Sequence, residues 1–194
     1  MRHSNVGLID AVDGASTPGV TIVTPLFGTG VYLIGLEGEV LHQWATDLPP
    51  GNYARLLPNG NLFWSGETSE GPRPGGGKGG LIREIDWDGN ILWEYNDDCQ
   101  HHDFRRLKNG NTLYIGWEKM PPETAHRVVG AEEGSEADGG VIWGDYLREV
   151  TPEGQIVWEY ISPWFGNHHP TGPSNAVIKA YRYDVDSPEI SGRI

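Results

Sequence analysis

Apolar and polar positions alternate in four short runs within Gly80–Glu118, and this alternation predicts four consecutive β-strands. Ile82–Asp86 and Ile91–Tyr95 flank an Asp-Gly turn, while His102–Leu107 and Thr112–Trp117 flank an Asn-Gly turn. Such dipeptides between alternating runs are the strongest short-range signal of a β-hairpin. We therefore expect the four strands to form one antiparallel sheet.

The pattern of these two hairpins recurs before and after this stretch. Gly30–Trp44 and Tyr53–Gly66 match the first and second hairpins, and Asp145–Tyr160 matches the first hairpin again. Three tryptophans are assigned to one equivalent position of the repeat: Trp44, Trp93 and Trp158. A period of about 50 residues with four strands per unit is typical of propeller blades. The sequence thus predicts an all-β fold, a β-propeller of four-stranded antiparallel blades with about three blades per chain.

The repeats place one domain in the middle of the chain. We expect residues 1–18 to form a flexible N-terminal arm, residues 19–185 a single propeller domain and residues 186–194 a polar tail. The glycine-rich residues 67–79 are interpreted as a linker or lid between repeats, and the acidic residues 119–144 as a long loop insertion. No stretch has the periodicity of a helix longer than two turns.

Composition and charge narrow the range of functions. The 194-residue chain has a net charge of −13, which disfavours binding to a nucleic-acid backbone. Its one cysteine, Cys99, excludes an intrachain disulfide, and no apolar run is long enough for a membrane helix. The N-terminal residues lack the apolar core of a signal peptide. We expect a soluble protein without nucleic-acid or membrane partners, cytoplasmic as the sequence stands and periplasmic or secreted if a leader has been removed.

Several stretches of the chain resemble the arylsulfotransferase (aryl-sulfate sulfotransferase) propeller proteins. They are TPLFGTGVYLIGLEGEVLHQW, YARLLPNGNL, IREIDWDGNILWEY, HHDFRRLKNGNTL and NAVIKAYRY. The resemblance implies a six-bladed β-propeller that transfers a sulfuryl group between phenols without PAPS or another cofactor. It also implies a reacting histidine in the central channel, assisted by further histidines and an arginine. Family members are commonly periplasmic or secreted, and this chain resembles an internally shortened one without the segment that carries later channel histidines.

The number of blades predicts an assembly. Three blades do not close a propeller ring, which has about 4–8 blades, whereas two copies of the chain supply six. An open ring would leave unpaired strand edges and exposed apolar surface. We therefore expect a two-fold homodimer in which Gly19–Leu26 and Asn175–Val185 add strands to the closing blades.

Two histidine pairs follow the recurring tryptophan at nearly the same distance, which makes them the main candidates for chemistry. His101 and His102 precede the third strand of one repeat, and His168 and His169 follow the next tryptophan. Histidine suits nucleophilic or general-base work because its pKa lies close to neutrality. The family resemblance places His102 in the channel as the catalytic residue, with His101 and His169 as companions. The alternative is a turn network in which Asp103 holds an imidazole in place.

Two arginines and two tryptophans are the candidates for substrate binding. Arg106 has the same strand parity as His102, and Arg55 lies near the aligned position of the preceding repeat. A guanidinium matches the oxygens of a sulfate group, but a surface arginine among many acids is the competing interpretation. Trp143 and Trp164 lie in loops and form either an aromatic wall for a phenol ring or anchors for those loops.

Three functions stay open at this point. The first is sulfuryl transfer between aryl sulfates and phenols through channel histidines, with no cofactor. The alternative is a non-catalytic propeller scaffold or binding module that has lost the complete active site. A third, metal-dependent hydrolysis, would need ligands from several blades, because adjacent strand residues such as His101 and His102 point to opposite faces. We assign no metal site.

Overall fold

The computed structural model describes residues 7–12, 14–73, 76–121, 143–161 and 177–193 of the chain. Within these ranges the chain forms eleven β-strands and no helix, so the all-β prediction is confirmed. The strands are β1 (Thr21–Val23), β2 (Gly30–Ile34), β3 (Val40–Ala45), β4 (Pro50–Leu56), β5 (Leu62–Glu67), β6 (Gly80–Ile85), β7 (Ile91–Asn96), β8 (Gln100–Arg106), β9 (Thr112–Lys119), β10 (Trp143–Val150) and β11 (Ile156–Ile161). A helix able to cross a membrane is accordingly not found in the described ranges.

The strands form three antiparallel sheets in which each strand pairs with its neighbours in the chain. The first sheet contains β1 to β3, the second contains β4 to β7 and the third contains β8 to β11. The hairpins of the first kind turn at Gly38, Gly89 and Gly154, whose φ values of 81°, 91° and 83° favour glycine. The predicted hairpins are therefore present.

The assignment of hairpins to sheets differs from the prediction. The four strands within Gly80–Glu118 do not form one sheet, because β6 and β7 pair with the second sheet while β8 and β9 pair with the third. The predicted linker, residues 67–79, does not separate two repeats: Glu67 is the last residue of β5 and pairs with Gly80, and residues 68–79 connect β5 to β6 within one sheet. A tight turn, in which the Gln100 amide donates to the Asp97 carbonyl at 2.7 Å, then directs β8 into the next sheet.

The register shows which strand the first sheet lacks. In each sheet one residue pairs with the position four before the turn glycine: Thr21 with Ile34, Leu62 with Ile85, and Thr112 with Val150. By this register β1 corresponds to β5 and β9, which are the second strands of their sheets. The first sheet therefore has no counterpart of β4 or β8 among the described residues, and the edge of β1 that faces away from β2 has no strand paired to it there.

The register also corrects the assignment of one tryptophan. Trp44 pairs with Val31 and lies two positions beyond His42, and it is His42 that occupies the position of Trp93 and Trp158. Side chains two positions apart share one face of a strand, so a tryptophan at either position faces the same neighbouring sheet.

Apolar side chains between the sheets form two clusters. The first joins the first and second sheets: Val31, Leu33, Trp44, Ala54, Leu62, Trp64 and Ile85. The second joins the second and third sheets: Phe63, Ile82, Phe104, Tyr114, Tyr146 and Val150. β1 contacts β4, and β4 contacts β8. The three sheets are thus stacked in series, with their first-in-chain strands on one side.

The predicted strand Asn175–Val185 is not a strand in its described part, residues 177–185. Its main chain bonds to side chains of the third sheet instead of to another strand. The amides of Val177 and Ala180 donate to Asp145 at 2.6 Å and to Asp103 at 3.1 Å, and the carbonyl of Ala180 accepts from Arg105 at 3.0 Å. We call residues 177–184 the C-terminal segment.

Candidate functional site

The candidate site is built around a distortion of β8 at His102. The pairing of β8 with β9 shifts register between His101 and Phe104, and His102 has a φ of 52°. Left-handed backbone costs a non-glycine residue roughly 1–2 kcal/mol, and such strain concentrates at functional sites. The amide of His102 turns out of the sheet and donates to the carbonyl of Gly77 at 2.8 Å. This bulge lets two adjacent histidines approach each other instead of pointing to opposite faces.

His102, His101 and Asp145 form a line of contacts. The Nδ1 atoms of His102 and His101 lie 2.8 Å apart, and Nε2 of His101 lies 3.1 Å from Oδ1 of Asp145. His101 is fully buried and stacks on Trp117 with ring centroids 4.2 Å apart. Asp145 is buried, whereas His102 is partly exposed. We refer to these three side chains as the histidine relay.

Neutral rings satisfy both contacts in one assignment of protons. If Nδ1 of His102 donates to Nδ1 of His101, then Nε2 of His101 carries the other proton and donates to the Asp145 carboxylate. Nε2 of His102 then holds no proton. A hydrogen bond to one ring nitrogen sets which nitrogen of an imidazole carries the proton, and enzymes orient a reacting histidine in this way.

A glycine-rich stretch next to the relay places Gly77 against the ring of His102. A Cβ atom on Gly77 would lie 2.5 Å from Nε2 of His102, so only glycine fits there with this ring position. The adjacent Lys78 is buried and forms a bridge with the main chain of His101. Burial lowers the pKa of Lys78, although its Nζ donates to the Thr68 hydroxyl at 3.1 Å and to the carbonyl of Asp98.

Asp103 follows the relay and gathers two guanidinium groups. Its carboxylate accepts from Arg55 and from Arg105, each at 3.2 Å, and from the amide of Ala180. Burial raises the pKa of Asp103, against the charge of Arg105. Burial, with the nearby charge of Arg105, lowers the pKa of Arg55 to about 10. Asp103, which the sequence predicted to hold an imidazole, thus binds two arginines and the C-terminal segment, whereas Asp145 contacts His101, a role that the sequence did not predict.

A cleft of about 470 Å³ opens beside these arginines. Five cationic side chains line it, against two acidic ones: Arg55, Arg105, Arg106, Lys108 and Arg182, with Glu149 and Asp184. Glu84 and Asp103 pair with three of these cations from outside the lining, so the five cations meet four carboxylates and the cleft keeps one positive charge in excess, in a chain whose net charge is −13. Because burial already disfavours the charge on Arg55, an anion in the cleft would restore favourable interactions for that charge.

Arg106 is engaged between the second and third sheets. Its guanidinium donates to Glu84 at 3.1 Å and to the Thr112 hydroxyl at 2.9 Å, and it lies over the ring of Trp93 at 4.2 Å. Burial lowers the pKa of Arg106 despite the charge of Glu84. The side chain joins two sheets and also lines the cleft, so its role in substrate binding stays a prediction.

The other predicted site residues are distributed as follows. Contrary to the prediction, Trp143 does not lie in a loop but is the first residue of β10; it is partly exposed, and its indole nitrogen is buried without a hydrogen-bond partner among the described residues. His169 and Trp164 lie outside the described residues, as does His168. Within the described ranges, no three His, Cys, Asp or Glu side chains converge as metal ligands. The structure thus brings His101 and His102 together and places Arg55 in contact with Asp103, the residue that follows His102.

No protein-family model matches the chain, and no curated protein matches its sequence. Among solved structures, the chain is similar to the crystal structure of a protein of unknown function from Bacteroides caccae. The two have 16% sequence identity and a TM-score of 0.46 over 74% of this chain and 46% of that one. The chain thus spans less than half of the length of that protein.

Proposed function

We propose that this chain is a sulfuryl transferase that moves a sulfuryl group from an aryl sulfate to a phenol through His102, without PAPS or another cofactor. The line of contacts from Asp145 through His101 to His102 is the observation that carries the proposal. It supplies what a histidine nucleophile needs, namely a fixed tautomer and a buried negative charge behind it. The resemblance of the sequence to arylsulfotransferases supplies the substrate class.

The transfer has two halves, and the relay acts in the first. In the first half, Nε2 of His102 attacks the sulfur, an N–S bond forms, the bond from sulfur to the aryl oxygen breaks, and the phenolate leaves to be protonated by water. The ring of His102 gains positive charge, which the hydrogen bond through His101 to the Asp145 carboxylate stabilises. In the second half, the oxygen of an acceptor phenol attacks the sulfur, loses its proton to water, and the N–S bond breaks.

The proposal includes the architecture that would enclose this site. The three stacked sheets would be blades of a six-bladed β-propeller completed by a second copy of the chain. The relay lies at the start of β8, on the side where β1, β4 and β8 meet. In a closed ring this side would face the central channel.

The direct test uses 4-nitrophenyl sulfate as donor and a phenol as acceptor. We expect the protein to transfer the sulfuryl group and His102→Ala to lose transfer while it stays folded. Mass spectrometry of the donor-treated protein should find one sulfuryl group on the peptide that contains His102. Transfer that survives in His102→Ala, or a sulfuryl group on another histidine, would contradict the assignment of His102.

A second candidate function is binding of an anionic ligand without chemistry, and the positive cleft favours it. Arg55 and Arg105 share one carboxylate, Asp103, so two guanidinium charges face a single negative one. Calorimetric titration with 4-nitrophenyl sulfate would measure binding in the wild type and in Arg55→Gln. Arg73→Gln is the control, because Arg73 pairs with Glu67 outside the cleft. Binding that Arg55→Gln weakens, in a protein that transfers nothing, would establish this second role.

A further inference from the structure

The C-terminal segment contacts the third sheet in the way that β8 contacts the second sheet. The Phe104 amide faces the Tyr53 hydroxyl at 3.4 Å, and the Ala180 amide donates to the Asp103 carboxylate at 3.1 Å. Tyr53 and Asp103 each lie near the middle of the first strand of their sheet. Ala180 thus makes the same contact with the third sheet that Phe104 makes with the second sheet.

A second set of contacts repeats with the same offset along the chain. Arg106 pairs with Glu84 and lies over the ring of Trp93 at 4.2 Å. Arg182 pairs with Glu149 and lies over the ring of Trp158 at 4.6 Å. Glu84 and Glu149 hold the same place in their strands, since each pairs directly with the tryptophan of the outer strand. The C-terminal segment therefore occupies the place of the first strand of a fourth sheet.

In the described part of the chain, this first strand pairs with no sheet, and the first sheet lacks a first strand. Among the described residues, no main-chain hydrogen bond joins residues 177–183 to another strand, and Tyr181 and Tyr183 are 63% and 51% exposed. Residues 7–12 and 14–20, which precede β1, contain no strand that could pair with its open edge. The C-terminal segment could therefore supply the strand that the open edge of β1 lacks.

We propose that the C-terminal segment pairs with the open edge of β1 in a second copy of this chain. The proposal rests on the six-bladed ring described above and specifies how that ring closes. Each copy supplies the first strand of one sheet and the remaining three strands of another. Two copies related by a two-fold axis then form two such mixed sheets, so that every sheet of the ring has four strands.

The repeat fixes the register of this pairing. Phe104 pairs with Tyr114 and Arg106 with Thr112, and Thr112 and Tyr114 correspond to Thr21 and Val23. The same register would set Ala180 opposite the partner's Val23 and Arg182 opposite the partner's Thr21. Antiparallel residues opposite each other carry Cβ atoms about 4.5–5.5 Å apart on one face.

Exposed side chains on the third sheet and on the first sheet agree with this junction. The Trp93 indole donates to the Pro152 carbonyl of the next sheet at 2.7 Å, in the hairpin turn of that sheet. Trp158, at the equivalent position of the third sheet, is 40% exposed. The residue that corresponds to Pro152 in the first sheet is Leu36, which is 44% exposed. In the proposed ring Trp158 would pack on the partner's Leu36, and both would be covered.

Cysteine cross-linking tests the register in a Cys99→Ser background. Ala180→Cys combined with Val23→Cys should form disulfide-linked dimers under mild oxidation, seen as twice the 21.4 kDa chain on a non-reducing gel. The control replaces Val23→Cys by Ile22→Cys, whose side chain points to the other face of β1 and should cross-link much less. Equal yields for the two pairs, or a disulfide formed only within one chain, would overturn the proposal.

Light scattering on a sizing column tests the assembly itself. A wild-type mass of twice 21.4 kDa is expected, and a monomer would overturn the proposal. Trp158→Ala should raise the dimer dissociation constant at least ten-fold, whereas Val157→Ala, on the opposite face of β11, should leave it unchanged. The transferase assay tests the proposed function independently of the assembly. A dimer that shows no transfer would contradict only the role of the relay, and a monomer that shows transfer would contradict only the closure of the ring by a second copy.

Discussion

The indole nitrogen of Trp44 donates a 2.8 Å hydrogen bond to the main-chain oxygen of Asp86 and so joins the first sheet to the second. The Trp44 side chain is 1% exposed, and its ring meets the edge of Trp87 with centroids 5.3 Å apart. Asp86 also accepts from its own turn, through the amide of Gly89 at 3.2 Å. One side chain thus ties the hairpin turn of one sheet into the apolar cluster of its neighbour.

We expect Trp44→Ala to lower the free energy of unfolding by about 3–5 kcal/mol, because it leaves a cavity between two sheets and removes a hydrogen bond that joins them. Urea unfolding followed by circular dichroism measures the change. Leu92→Ala is the control, since Leu92 is 56% exposed on an outer strand and should cost less than about 1 kcal/mol. A cost for Trp44→Ala no larger than that of the control would show that the two sheets do not depend on this contact.

The backbone of His102 provides a second prediction, which concerns strain. At a φ of 52°, alanine is strained and glycine is not, so His102→Gly should be more stable than His102→Ala by about 1 kcal/mol. Both variants lack the imidazole, and the difference therefore isolates the backbone. Thermal or urea unfolding of the pair measures it, and both should lose sulfuryl transfer. Equal stabilities, or a more stable alanine variant, would mean that the bulge in β8 relaxes without cost.

The hairpins were predictable from the sequence, but the sheets they belong to were not. Asp-Gly at Asp88–Gly89 and Asn-Gly at Asn109–Gly110 fix the local turns, because the glycine of each turn adopts a positive φ, 91° at Gly89 and 87° at Gly110. No local feature of the sequence determines whether a hairpin pairs with the hairpin before it or with the one after it. Here β5 pairs with β6 across residues 68–79, which have the composition of a linker. The second and third sheets therefore each begin with the second hairpin of a predicted repeat and end with the first hairpin of the next.

The candidate site was predictable only in part, for a similar reason. His101 and His102 are visible as an adjacent pair, but adjacent strand residues normally diverge, and the bulge that unites them has no clear signal in the sequence. Asp145 joins them from β10, because β10 pairs with β9, and Gly77 joins them from the connection between β5 and β6. Contacts made by strand pairing and by a long connection depend on the tertiary fold, which no single motif encodes.

Asp145 should act as a positioning residue, and Asp145→Asn tests this through the tautomers. In the wild type, one carboxylate oxygen of Asp145 accepts a hydrogen bond from His101 and the other accepts one from the Val177 amide. An asparagine has one acceptor oxygen, so with that oxygen on Val177 its NH₂ group would donate to Nε2 of His101. The proton of His101 would move to Nδ1 and donate to His102, whose own proton would then move to Nε2 and block the nucleophile.

We expect Asp145→Asn to lower sulfuryl transfer about 10²-fold or more and to change the ¹⁵N chemical shifts of His102 to those of the Nε2-protonated tautomer. Asp47→Asn is the control, since Asp47 is an exposed residue that pairs with Arg83 at the edge of the second sheet. Asp47→Asn should change neither the rate of sulfuryl transfer nor the ¹⁵N chemical shifts of His102. A loss of transfer with an unchanged His102 tautomer would show that Asp145 acts only by holding the C-terminal segment.

Gly77 offers the last prediction, with an adjacent glycine as its matched control. Gly77 has a φ of 81°, and a Cβ there would lie 2.5 Å from Nε2 of His102, whereas a Cβ on Gly76 would meet nothing within 4 Å. Gly77→Ala should therefore cost about 1–2 kcal/mol of backbone strain and displace the imidazole of His102 from His101. Gly76→Ala should be close to neutral in both stability and transfer. If Gly77→Ala transfers sulfuryl groups as fast as Gly76→Ala, the ring position of His102 beside Gly77 is not the reactive one.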